Sequence, residues 1–265
     1  VIASGKRGGY YHAVARGLRA VLRSEYGIPT DVLTTGGSME NLAALADPDS
    51  LVGIALAQAD ALQSHLAANP GFTDGYVQIA DAGTECVFLV ASARSGIRGL
   101  GDLAATGERR VAVGDPGSGA AVTWANMTRL RPALAATAAV EEGVIEALLG
   151  MRAPNPGPGP VLAMMVQRPM AVATPLEIVL QNKADYVLVP IVPGDLGPRD
   201  PEAGPAGYAY ERVVVGLGRE SQTSIDTLCT RALVLAARAK LSADRIDAIR
   251  EAVRKSRRYI MPEGR

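Results

Sequence analysis

Apolar positions along the chain switch repeatedly between short unbroken runs and a 3.6-residue spacing. That switching dictates the elements. Residues 1–4 form a strand-length apolar run closed by Gly5-Lys6-Arg7-Gly8-Gly9, after which Tyr11, Val14, Ala15, Leu18, Val21 and Leu22 share one helical face. Pro29 ends that helix, and residues 30–34 alternate as a second strand. Met39, Leu42, Ala43 and Leu45 mark a second helix, stopped by Asp47-Pro48-Asp49. Residues 52–56 give a third strand, and Gln58-Ala59-Asp60 opens a helix over 61–68. Three strand–helix repeats in succession argue for a parallel sheet with crossover helices.

Residues 76–80 and 85–91 read as two further strands, and 96–103 as a short surface segment. The strand–helix rhythm restarts at 110–113, with predicted helices over 121–130 and 134–151 and a strand at 161–166. A helix over 175–183 and a strand at 186–191 follow. Residues 154–160 alternate Pro with Gly or Asn as a stiff extended connector, and 193–207 read as a long surface loop. Strands at 212–215 and 228–236 precede a last amphipathic helix that opens at Ser242 and carries Ile246, Ile249 and Val253. Two halves of like style with a late return predict two α/β lobes hinged by crossing strands. Lobe one covers residues 1–90 and 208–265, and lobe two residues 91–207.

Composition narrows the function classes. Acidic and basic residues balance at 27 each, with no basic block interleaved with aromatics, so nucleic acid is excluded as a partner. No apolar run approaches the ~20 residues of a membrane span. Only two histidines and two cysteines are present, without a CxxC spacing, which leaves no metal site or cofactor to expect. The start inside a strand reads as a trimmed or mature chain. Cys86 and Cys229 both fall in predicted strands; a disulfide suits an exporting compartment, and two buried thiols fit equally well.

The candidate chemistry lies in two glycine–hydroxyl turns, Thr34-Thr35-Gly36-Gly37-Ser38 and Gly114-Asp115-Pro116-Gly117-Ser118-Gly119. Each joins a strand to a helix, where free backbone N–H groups and a hydroxyl meet the positive end of the helix dipole. Gly36, Gly37, Ser38, Gly117, Ser118 and Gly119 are therefore candidate contacts to a small anion, and each serine can equally be a simple helix cap, with Asn41 then facing solvent. Gln58 at a helix start either contacts the ligand or caps. Of Tyr10 and Tyr11, one is expected in the core and the other along the cleft. Arg168, after the predicted strand at 161–166, either pairs bidentately with a ligand carboxylate or forms a structural ion pair. Lys6 and Arg7 read as solvated, His12 as structural, and Trp124 and Met127 as core. Neither Gly-x-Ser-x-Gly nor a phosphate-binding Gly-Lys-Ser/Thr turn occurs, so no catalytic residues are assigned.

The stretch from Thr34 to Leu42 resembles the most distinctive motif of the TAXI branch of TRAP-transporter solute receptors. Gly8-Gly9-Tyr10-Tyr11, Ala57-Gln58-Ala59-Asp60, residues 95–103, Val111-Ala112-Val113-Gly114, Pro116-Gly117-Ser118-Gly119 and Ser224-Ile225-Asp226-Thr227 are similar to other family segments in the same order. The threonine usual before the first tyrosine is absent, and Lys6, Arg7 and Arg168 add cations. The resemblance implies a type II periplasmic binding protein: two α/β lobes with parallel-rich sheets and crossing hinge strands. It further implies capture of a small anionic solute, glutamate or a dicarboxylate, in an interlobe cleft between Ser38 and Ser118. The expected partner is a TRAP membrane subunit, the expected state a monomer, and the expected place periplasmic or extracytoplasmic, with tethering through a removed N-terminal segment open. The alternatives are an α/β enzyme acting on a small acidic or phosphorylated substrate, and the ligand-sensing domain of a receptor.

Overall fold

The computed structural model describes residues 1–104, 109–153, 159, 161–169, 174–192, 194–196, 210–216 and 224–261. The chain forms two compact units. Of the described residues, one holds Val1–Gly83 with residues 231–261, the other those within Thr84–Thr230.

In unit one the parallel strands β1 (Ile2–Ala3), β2 (Val32–Leu33) and β3 (Ile54–Gln58) alternate with helices α1 (Tyr10–Tyr26), α2 (Ser38–Ala46) and α3 (Ala59–Ala68). Strand order is β2-β1-β3, continued by β10 (Ser224–Ala237), whose second half pairs antiparallel with β3, and then by β4 (Tyr76–Ser92). The apolar face of α1 supplies Val14, Leu18, Val21 and Leu22 to a core shared with Ile2, Leu56 and Val234. Helices α7 (Ala243–Lys255) and α8 (Arg257–Ile260) pack on α1, and Ile249, Val253 and Ile260 close that core.

Unit two repeats the parallel design. Here β5 (Arg109–Ala112) lies between β6 (Thr137–Val140) and β7 (Leu162–Gln167), both parallel to it. Strands β7 and β8 (Tyr186–Val189) pair antiparallel with β4, and β9 (Glu211–Gly216) with β10. Alternation along β4 divides the core: Val87, Leu89 and Ala91 join Trp124 and Met127 on one face, and Cys86, Phe88 and Val90 join Leu148 and Met165 on the other. Helices α4 (Gly119–Leu130), α5 (Val144–Arg152) and α6 (Thr174–Gln181) cover the sheet.

Several sequence expectations are corrected. The two strands expected at 76–80 and 85–91 are one 17-residue strand, β4, with Gly83 at φ 114° allowing it to continue through the polar middle. The helix expected over 134–151 is a short 3₁₀ turn (Pro132–Ala136), then strand β6, then α5. Apolar spacing alone concealed the exchange, because Thr137 and Val140 serve a ladder with β5 and Gly143 restarts a helix. The expected surface segment 96–103 is anchored by Ile97, Leu100 and Leu103, all fully buried. The Pro/Gly connector at 154–160 and the loop at 193–207 fall largely outside the described residues.

Cys86 and Cys229 form a disulfide between β4 and β10. It sits within unit two, close to where each of these strands continues into unit one.

Candidate functional site

In unit one, β1, β2 and β3 run parallel in register, so their carboxyl ends share one edge of the sheet. The turns carrying Ser4 to Gly9, Thr34 to Gly37 and Gln58 leave from that edge, and the first turns of α1, α2 and α3 start there. Ligands of open α/β sheets bind at such carboxyl edges, where helix amino ends gather.

The bonding at this edge is dense and specific. The Oγ of Ser38, a residue 2% exposed, accepts from the Gln58 backbone N–H at 3.1 Å, which brings two of the candidate residues together. Gly37, not Ser38, is the residue that precedes α2, so the hydroxyl belongs to the first helical turn and does not cap it. Asn41, expected in solvent under the capping alternative, is fully buried. Its Nδ2 donates to the Leu56 carbonyl at 2.7 Å and to the Ser4 carbonyl, while its Oδ1 accepts from Thr35 Oγ1 at 2.6 Å. One side chain thus ties β1, β3 and the turn after β2. The sequence signal was available: an Asn three residues past the first helical serine, ahead of Leu42, faces the sheet at helical spacing.

Gly36 is not a free donor. Its N–H donates to Glu40 Oε2 at 2.6 Å, a carboxylate reaching back from the first turn as in a capping box. The N–H groups of Gly37, Ser38 and Met39 precede the first i→i−4 bond of α2, which is made by Asn41. Gln58 is 3% exposed, and its Oε1 has no hydrogen-bond partner among the described residues. A buried amide oxygen left in this condition is costly.

Tyr10 and Tyr11 are both half-buried against the unit-one core, and the Tyr10 hydroxyl donates to the Ala82 carbonyl at 2.6 Å. Lys6 and Arg7 are exposed in their turn. His12 meets Ser4, with Nδ1 3.3 Å from Oγ, yet the Ser4 proton is directed at the Leu33 carbonyl 2.8 Å away. Ser4 is also fully buried, so the pair is structural. Asp60, which lay outside the candidate set, is fully buried in the first turn of α3.

In unit two the second glycine turn follows β5, and Gly114 and Gly117 adopt φ of 74° and 77°. Ser118 is a true N-cap: its Oγ accepts from Ala121 N–H at 3.2 Å and donates to the Val113 carbonyl at 2.9 Å. Arg168 follows β7 directly and is half-buried. Since β5 and β7 are parallel neighbours, the Ser118 turn and Arg168 leave the same carboxyl edge of unit two. Among the described residues no group of three His, Cys, Asp or Glu is placed to hold a metal ion.

Comparison with known proteins adds family and fold. The NMT1-like family model matches residues 2–141. A protein of Bordetella bronchiseptica RB50 superposes with a TM-score of 0.58 at 14% identity, over 99% of this chain and 71% of that one. The GluR0 ligand-binding core in complex with L-glutamate gives 0.54 at 12% identity, covering 97% and 92%. An amino acid ABC transporter substrate-binding protein of Streptococcus pneumoniae, bound to L-arginine, gives 0.50 at 11% identity, covering 98% and 90%. No curated protein matches the chain. The fold is therefore that of the two-lobed, type II periplasmic solute-binding proteins. Among the described residues no helix is long and apolar enough to cross a membrane.

Proposed function

The chain belongs to the NMT1-like family, matched over residues 2–141, and from that premise we propose that it is a non-catalytic, extracytoplasmic solute receptor serving a membrane transporter. The observation that carries this reading is the carboxyl edge of unit one, where Ser38 ties the first turn of α2 to the Gln58 backbone and the buried Gln58 Oε1 has no hydrogen-bond partner among the described residues. Such an edge offers N–H donors to a carboxylate and one acceptor to a donor group. A small anionic solute, glutamate or another dicarboxylate, fits the donors of α2, and the Gly117-Ser118-Gly119 turn and Arg168 offer a like edge in unit two. The motif order that resembles the TAXI receptors supports a TRAP-type membrane subunit as partner. The fold likeness does not choose the solute's charge, since two similar structures hold L-glutamate and L-arginine respectively.

Titration calorimetry against L-glutamate, glutarate, 2-oxoglutarate, L-arginine and a neutral sugar tests the reading. Saturable binding of at least one of the three acidic compounds is expected. Binding confined to L-arginine or the sugar would falsify the anion assignment, and turnover of any of them would move the protein to the enzymes. A gene for a fused TRAP membrane subunit beside this one is the expected genomic context.

A further inference from the structure

Unit one contains a second concave site away from the solute edge. Helix α1 begins at the carboxyl edge and runs back across the sheet, so its last two turns lie at the opposite end. There Ser24 and Glu25 of α1 face the end of α7 and Arg257, Arg258 and Tyr259 of α8 across a cavity of about 610 Å³. That volume lies within the ~300–1,000 Å³ of small-molecule pockets.

The cavity is built on fixed walls. A Cβ on Gly17 would come 3.0 Å from the Ile260 Cα, so α1 and α8 touch backbone to backbone. Its floor is apolar, formed by Val21 and Met261, which are 2% and 4% exposed. Its rim carries Arg254, Lys255, Arg257 and Arg258, and among the described residues Glu25 is the one carboxylate that lines it. Arg254 and Lys255 share the nearby Glu251, and Arg257 donates to the Asp81 carbonyl at 2.9 Å. Among the described residues Arg254, Lys255, Arg257 and Arg258 thus stand with Glu25 and Glu251, a local surplus of positive charge in a chain that holds 27 of each sign. The helix dipole accounts for Arg254 and Lys255 in the last turn of α7. It does not account for Arg257 and Arg258, which lie beyond that helix.

We propose that this cavity is a second anion site, taking a phosphate monoester with an apolar body. Guanidinium groups pair bidentately with phosphate oxygens, and a dianion requires more than one of them. The exposed ring of Tyr259 and the Val21–Met261 floor receive the body of the ester. A soluble phosphate monoester and the phosphatidic acid headgroup present the same chemistry, so the test has an arm for each.

The soluble arm follows amide and Tyr259 ring shifts by NMR, and affinity by calorimetry, with phenyl phosphate and inorganic phosphate as probes. The lipid arm measures co-sedimentation with phosphatidylcholine vesicles containing phosphatidic acid against phosphatidylcholine vesicles alone. Phenyl phosphate is expected to bind more tightly than inorganic phosphate and to shift residues of α1 and α8. Arg258→Glu should weaken it at least tenfold, and Glu25→Gln should tighten it; both side chains are exposed, so the fold is left intact. Binding to the phosphatidic acid vesicles alone, lost in Arg258→Glu, supports the site with a lipid source. The proposal is overturned if neither arm shows binding, if phosphatidylcholine binds equally, or if Arg258→Glu changes nothing.

Discussion

Asn41 and Gln58 stand within one hydrogen-bond network at the edge of unit one and are predicted to behave in opposite ways. Asn41 is structural: its amide satisfies the Ser4 and Leu56 carbonyls in a fully buried position. Replacing it by Ala strands those groups, and each orphaned buried group costs about 1–3 kcal/mol. Asn41→Ala should therefore lower stability by about 2–4 kcal/mol in urea unfolding, within a two-carbonyl loss at that rate. Gln58 Oε1 has no such partner among the described residues, so Gln58→Leu should hold or raise stability while abolishing solute binding. A stability loss with affinity retained would assign Gln58 to the scaffold instead. Glu40 supplies a third contrast, because its carboxylate occupies the Gly36 N–H beside the proposed anion position. Glu40→Gln is expected to tighten binding of an acidic solute severalfold at low salt, by removing a like charge. Arg168→Ala should weaken it about tenfold, the value of one charge-assisted contact.

At the level of elements, the two glycine turns look alike in sequence and differ in structure. Ser118 uses both its lone pair and its proton on its own unit, as N-cap of α4 and as donor to Val113. Ser118→Ala should cost about 0.5–2 kcal/mol, the ordinary value of a cap, read as a shift in the urea midpoint. Ser38→Ala instead removes the acceptor for Gln58 N–H and is expected to alter solute affinity as well. The paired strands β4 and β10 carry the disulfide. Its loss in a Cys86→Ser, Cys229→Ser double variant should cost about 2–5 kcal/mol. Thiol titration of the unfolded wild-type chain without reductant is expected to find no free cysteine, and two reactive thiols would contradict the bridge.

For the whole molecule, lowered pKa values shape the acid limb of stability, those of His65 and Glu251 among them, beside Asp102 held down by the Arg98 and Gly99 backbone N–H groups. Burial holds the His65 imidazole below its ordinary pKa, with Phe72 edge-on at 5.6 Å and Nε2 unpartnered among the described residues. A folded pKa below the unfolded value of 6.5 means that the unfolded chain binds the proton first. That stabilisation is complete above about pH 6.5 and is lost as pH falls through the lower, folded value. Glu251 is held at about 2 by hydrogen bonds from Arg254 and then Lys255, so its contribution persists above its unfolded value of 4.5 and fades as pH approaches 2. Thermal unfolding should accordingly show a first decline below pH 6.5 that His65→Gln removes, and a later one that it does not.

Much of this was already determined by the sequence. Periodicity alone fixed α1, α2, α3, α4 and α7, because a helix that buries one face must repeat its apolar residues every three to four positions. Turn chemistry fixed the two glycine turns, because positive φ at Gly114 and Gly117 demands glycine. The motif order was legible enough to point to a binding protein of the type II fold. Tertiary structure decided the rest. Whether residues 134–151 formed one helix or a strand and a helix depended on β5 offering a ladder to Thr137–Val140. Whether Cys86 and Cys229 were thiols or a bridge depended on β4 and β10 lying side by side. The fates of Asn41 and Gln58 depended on which carbonyls the neighbouring strands brought to them. Local spacing determines which face of an element is apolar, but a hydrogen bond needs a partner from elsewhere in the chain, and only the packed structure supplies it.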